Sequence, residues 1–262
     1  MNPIVRLRLS VGALVAVGIV LASGSCAHPA EPLVVVPPTV KVATCPAEMA
    51  RVGAFCMDRY EAEVVEVLAS GTERTHSPYQ GVEGLVVRAK SQKGVFPQAY
   101  ISQLQAAAAC ANAGKRLCTS KEFETACSGG DPANYYPYGG QVHMSGYCNE
   151  GKGSSMVRYF GKDPGQWTYE QFNDPRLNQA SGGLAPTGSY DKCVSPFGIH
   201  DCVGNLHEWG ADPPDDQGRC RFRGGFYGDA ENNGPGCHYV TRAHGPNYHD
   251  YSTGFRCCAD PQ

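Results

Sequence analysis

Cysteine limits this 262-residue chain more than any other residue does. It has 13, and setting Cys26 aside leaves Cys45, Cys56, Cys110, Cys118, Cys127, Cys148, Cys193, Cys202, Cys220, Cys237, Cys257 and Cys258. An even set of this size argues for a chain stapled by disulfides outside the reducing cytoplasm. No Cys-x-x-Cys pair occurs, and Cys257 and Cys258 are adjacent, so zinc-ribbon spacing is absent. The expectation is about six bonds with at most one free thiol. Gly (32) and Pro (19) are abundant and long helical patterns are scarce, which predicts a loop-rich fold with short strands and few helices.

The N-terminal residues agree with that compartment. Arg6 and Arg8 precede an apolar run from Val11 to Leu21, too short to span a bilayer comfortably. Ala22, Ser23, Gly24 and Ser25 then lead into Cys26. This order resembles a bacterial lipoprotein signal, although Ser23 stands where such signals usually carry Leu. The expectation is an exported protein that loses residues 1–25 and is anchored in the inner or outer membrane by lipid on Cys26, facing the periplasm or the surface. Ordinary cleavage, giving a free periplasmic or secreted protein, is the alternative. Residues 26–44 carry Pro29, Pro32, Pro37 and Pro38 and read as an extended tether, because proline neither continues a helix nor donates in a sheet ladder. Leu33 to Val36 could also dock as an edge strand. Residues 45–262 form the folded domain. With 22 Lys+Arg against 25 Asp+Glu and no basic run, nucleic acid is not an expected partner.

Two helices are legible. Ser102–Ala113 places Leu104, Ala107, Ala108 and Ala111 on one face and ends at Gly114. The second begins at Thr119, whose spacing to Glu122 makes a capping box, with Phe123, Ala126 and Cys127 on its inner side. Short strands are expected within 54–60, 221–227 and 254–258. The segments 131–146 and 151–184 read as long loops, which are normally functional or held by staples or ions.

Four segments, in order, resemble the formylglycine-generating enzyme, or sulfatase-modifying-factor, family. They are GAFCMDRYEAEV (53–64), AAAACANAGKRLCTSKEFETACSGG (106–130) followed by YPYGG, SPFGIHDCVGNLHEWGAD (195–212), and RFRGGFYG (221–228) followed by STGFRCCAD. The resemblance implies an α+β fold of the C-type-lectin-like kind. It implies calcium held by the Asp201 and Glu208 side chains with the Gly204 and Leu206 carbonyls, an oxygen-only set that suits the ion. A second calcium would use Asn149 and a carboxylate such as Asp174. His207-Glu208 is no zinc-protease motif, since no His follows at the required spacing.

In disulfide-bearing relatives the pairs corresponding to Cys110–Cys257 and Cys127–Cys237 form. Cys45–Cys56 and Cys193–Cys202 would close short loops. The pairing of Cys118, Cys148, Cys220 and Cys258 stays open. The active enzymes hold copper(I) on two cysteines shortly after RGGS, a soft ion that thiolates select. In this chain Phe226 follows RGG and residues 228–232 contain no Cys, so copper is not expected. Cys220 and Cys237 could substitute only if the fold brought them together. His238, His244 and His249, with Arg242 and Tyr248, are a second candidate metal set. The expected function is therefore binding of a protein or glycan ligand, with Tyr135, Tyr136, Tyr138, Phe226, Tyr227 and Tyr248 as aromatic candidates. The alternative is an oxidoreductase of the formylglycine-generating type with an altered site.

Overall fold

A computed structural model describes residues 43–163 and 165–262. The expected signal, Cys26 and the expected tether up to residue 42 lie outside the described residues. Among the described residues, three small sheets and five short helices make an α+β fold. The first sheet joins β1 (Met49–Val52), β2 (Phe55–Asp58), β11 (Cys257–Ala259) and β6 (Arg116–Leu117) in the order β1-β2-β11-β6. The chain's last strand thus lies between its second and its sixth, and Thr44 exchanges both backbone hydrogen bonds with Gln262 (2.7 and 3.0 Å).

Adjacent residues of a strand face opposite ways, so Cys257 and Cys258 cannot serve one core. Cys257 bonds Cys110, and Cys258 bonds Cys118, on the two faces of β11. The other bonds are Cys45–Cys56, Cys127–Cys237 and Cys148–Cys193. Two expectations are corrected. Cys193 pairs with Cys148, not with Cys202, because the segment after Cys193 doubles back through the Val194–His200 bridge and leaves Cys148 beside it, 4.8 Å away between Cα atoms. Among the described residues two thiols, not at most one, remain free: Cys202 and Cys220, both buried.

Helix α1 (Gln103–Asn112) starts at Ser102, whose side chain and that of Gln105 cap each other's free amides. It buries Gln103, Ala106, Ala109 and Cys110, while Leu104 is 52 % exposed. The face expected from Leu104 is therefore wrong: the bond from Cys110 to β11 sets the rotation of the helix. Helix α2 (Ser120–Cys127) has the Thr119–Glu122 capping box and buries Phe123, Ala126 and Cys127. The expected loop 151–184 instead holds α3 (Ser155–Phe160), α4 (Tyr169–Phe172) and α5 (Arg176–Gln179), each too short to show a periodicity.

The second sheet has the order β10-β7-β8-β9, from β7 (His207–Trp209), β8 (Phe222–Arg223), β9 (Val240–Thr241) and β10 (Thr253–Gly254). A third, of β3 (Glu63–Val67), β4 (Glu73–Thr75) and β5 (Val87–Lys90), packs through β5 on α1.

Candidate functional site

The sequence motifs converge on one buried polar network. Arg256, wholly buried, donates two 2.6 Å bonds to the two carboxylate oxygens of Glu208. Lys115 lies 2.7 Å from Asp58 and 2.8 Å from Glu48, and the second Asp58 oxygen accepts the Cys257 amide. Burial alone would lower the Lys115 pKa, but Asp58 and Glu48 hold it above its ordinary value. Glu61 accepts the Leu206 amide (3.0 Å) and the Asn205 side chain. Burial, and then the Glu208 and Asp201 charges, push the Glu61 carboxyl well above its usual range. Asn205 and Gly204 both have positive φ, and a Cβ on Gly204 would stand 2.1 Å from the Asn149 carbonyl oxygen. The "YE", "GKRL", "VGN…E" and "GFR" residues thus lock four segments together.

This network does not assemble the expected calcium ligands. Both Glu208 oxygens are committed to Arg256, and an Asp201 oxygen accepts the Gly188 amide at 2.6 Å. At the second expected site, the side-chain amide oxygen of Asn149 is buried with no hydrogen-bond partner, an acceptor that a cation could use. The Asp174 carboxylate, however, is engaged by Arg176 at the start of α5. Neither Asp201, Gly204, Leu206 and Glu208 nor Asn149 and Asp174 fit the ion as a set.

The thiols are similarly placed against copper. Cys237 is bonded to Cys127, so the candidate pair Cys220 and Cys237 does not exist. The Cys220 thiol donates to Gln103 Oε1 (3.1 Å), and burial raises its pKa. Burial pushes the other free thiol, Cys202, up to about 12, so neither favours the thiolate that copper(I) needs. Residues 226–232 form a closed turn instead. Phe226 and Asp229 exchange backbone bonds, and Asp229 Oδ1 accepts the amides of Glu231 and Asn232, both at 3.0 Å. Gly225 permits this turn, since a Cβ there would stand 2.5 Å from the Asp229 carbonyl.

The histidine candidates also separate. His238 packs on Tyr135 and faces Glu124, His249 binds Glu83 and Asn173, and His244 stacks on Tyr248. The fold instead gathers His143, Glu150 and Glu231 at the surface, with Glu150 2.7 Å and Glu231 3.8 Å from the imidazole. Nothing in the spacing of these three residues announces that grouping.

What the turn does build is a pocket of about 430 Å³ beside Phe226. Its floor comes from the second sheet: His207 on β7, Phe222 on β8, Thr241 on β9 and Thr253 on β10. Phe226, Tyr239, Tyr248 and Tyr251 form walls, and α4 supplies Tyr169 and Phe172 at the mouth. His207 bonds Ser252 Oγ and the Tyr239 hydroxyl, each at 3.2 Å, and burial lowers its pKa to about 3. Tyr239 in turn donates to Asp229 (3.2 Å), tying the wall to the turn. Asp250, 6 % exposed, accepts from the Tyr248 hydroxyl (2.6 Å) and from the Ser252 amide and hydroxyl (2.8 and 2.7 Å). Of the aromatic candidates, Phe226 and Tyr248 line this pocket. Tyr227 is core, and Tyr136 and Tyr138 stack on each other elsewhere.

Comparison with known proteins follows the same lines. The formylglycine-generating enzyme of Bos taurus is 28 % identical over 191 residues, covering 63 % of this chain and 44 % of that protein. The formylglycine-generating enzyme of Thermomonospora curvata is 30 % identical over 187 residues, covering 63 % and 56 %. The chain therefore spans about half the length of these curated relatives. Among solved structures, PvdO from Pseudomonas aeruginosa is similar with a TM-score of 0.47 and 16 % identity, over 79 % of this chain and 80 % of that one. The family description "Sulfatase-modifying factor enzyme 1-like domain" matches residues 15–261, nearly the whole chain, and the chain belongs to that family.

Proposed function

We propose that this is an exported member of the family that binds a small ligand in the aromatic pocket and does not oxidise a substrate cysteine. The observation that carries the reading is the coexistence of a pocket of ligand size with a cysteine arrangement unsuited to the family's copper chemistry. Function resides in the site and not in the fold, so membership alone does not transfer the activity. Phe226 occupies the position after RGG and contributes an aromatic face where the enzymes carry Ser. Five disulfides, Arg6 and Arg8, and the apolar run into Cys26 support export, with lipid on Cys26 as the anchor.

The deciding experiment incubates the oxidised, folded protein with copper, oxygen and a sulfatase-type cysteine peptide and weighs the peptide by mass spectrometry. The expected result is unchanged peptide. Formylglycine product that disappears in Cys220→Ser would restore the oxidoreductase reading. The mass of the N-terminal peptide from native protein checks the anchor: an unmodified residue 26, or a start elsewhere, removes it.

A further inference from the structure

We propose that the pocket selects an organic cation, an ammonium group carried on a compact alkyl chain; this inference rests on the ligand-binding reading above. The electrostatics of the lining carry it. Among the described residues, Asp250 is the one acidic side chain that lines the pocket, and no Lys or Arg lines it. The Asp250 carboxylate is buried, and its hydrogen-bond donors, Tyr248 and Ser252, are neutral. Among the described residues no cationic side chain forms a salt bridge with it. A buried carboxylate without a counter-ion is costly, and a ligand that brings the missing positive charge relieves that cost.

The walls favour the same charge. Phe222, Phe226, Tyr239, Tyr248 and Tyr251 present aromatic rings, whose faces are electron-rich and attract ammonium groups within about 6 Å of the ring centre. The Phe226 ring lies edge-to-face with Tyr251 at 5.8 Å and tilted to His207 at 4.9 Å, which makes a corner and not a flat wall. The two lining imidazoles do not supply the missing charge: burial is the largest influence on both and holds them below their ordinary pKa. Every strong field in the cavity is therefore negative. An anion would meet Asp250 and ring faces with no compensating donor charge, and a neutral ligand would leave Asp250 uncompensated. The volume of about 430 Å³ suits a small ligand.

The test uses the full folded protein and three probes that share a butyl chain. They are butyltrimethylammonium, its neutral carbon isostere, and the butyl-chain carboxylate, each titrated by protein-observed NMR. The expected result is that the ammonium probe binds at least tenfold more tightly than the isostere and the carboxylate is weakest. Asp250→Asn should weaken the ammonium probe at least tenfold while leaving the isostere within about twofold. Because Asp250 also holds Tyr248 and Ser252, Phe226→Leu provides an independent arm: it keeps the carboxylate, removes one ring face, and should weaken the ammonium probe several-fold more than the isostere. Equal binding of isostere and ammonium, or tighter binding of the carboxylate, overturns cation selection and leaves the pocket as a ligand site. No perturbation of pocket resonances by any of the three overturns both readings.

Discussion

The two half-cystines at the end of the chain allow a quantitative prediction, because their bonds are nearly parallel. Cys110–Cys257 and Cys118–Cys258 span 147 and 140 residues. Taken alone, a loop of that size restricts the unfolded chain by about 5 kcal/mol. With the neighbouring bond intact, however, either one closes only a ring of about nine residues, worth roughly 2.5 kcal/mol. If both are removed, the second loss is set by Cys127–Cys237, which still limits the open ring to about 30 residues, worth roughly 3.6 kcal/mol.

Cys110→Ala/Cys257→Ala and Cys118→Ala/Cys258→Ala should therefore each cost about 2.5 kcal/mol in the entropy model, and the quadruple variant about 6. The excess of about 1 kcal/mol is the coupling between the two staples. Voids left by the lost sulfurs add to each variant, but because the two bonds face opposite sides of β11 they cancel in the cycle. The assay is guanidinium unfolding of oxidised proteins, after non-reducing peptide mapping confirms the remaining bonds. A quadruple cost equal to or below the sum of the two double-variant costs would refute the argument from shared rings.

Three further outcomes follow from the buried groups. Arg256→Met leaves the Glu208 carboxylate buried and unpaired and should cost about 3–5 kcal/mol, with part recovered by adding Glu208→Gln; thermal melts of the two variants check it. His207 has its pKa lowered by burial from 6.5 to about 3, so its contribution to stability is complete above pH 6.5 and is lost as pH falls toward 3. At pH 4 that loss is about 3 kcal/mol, and the His207 ring should show no NMR titration between pH 8 and 4; a midpoint near 6.5 would show that the ring is not buried as described. Gly204→Ala drives a Cβ to 2.1 Å from the Asn149 carbonyl at a φ of +79° and should cost about 3 kcal/mol, read by chemical denaturation; a change under 1 kcal/mol would mean that the two segments are not locked there.

Much of the frame was readable in order along the chain. The Ser102 and Thr119 helix starts, the inner face of α2 and the four motif segments depend on residues a few positions apart, and the structure places them where the spacing predicts. The face of α1 was not readable, because an alanine-rich helix has no strong apolar stripe and its rotation is set by the long-range bond from Cys110. The aromatic pocket was legible only as scattered Phe and Tyr, since its lining is drawn from residues 169 to 253 on α4, the second sheet, the turn after RGG and the segment between β9 and β10.

By itself, the sequence determined the family, the α+β class, the need for disulfides and the missing cysteine pair after RGG. Each is a property of residue identity or short spacing. The tertiary structure alone decided that Cys193 meets Cys148, that Cys202 and Cys220 stay unpaired, and that Glu208 serves Arg256. It also decided that Asp250 faces an aromatic pocket with no cationic side chain bridged to it among the described residues. The physical reason is common to all four. Which distant groups become neighbours depends on how the sheets close, through strands paired across the whole chain such as β2 and β11, and no local pattern encodes that distance.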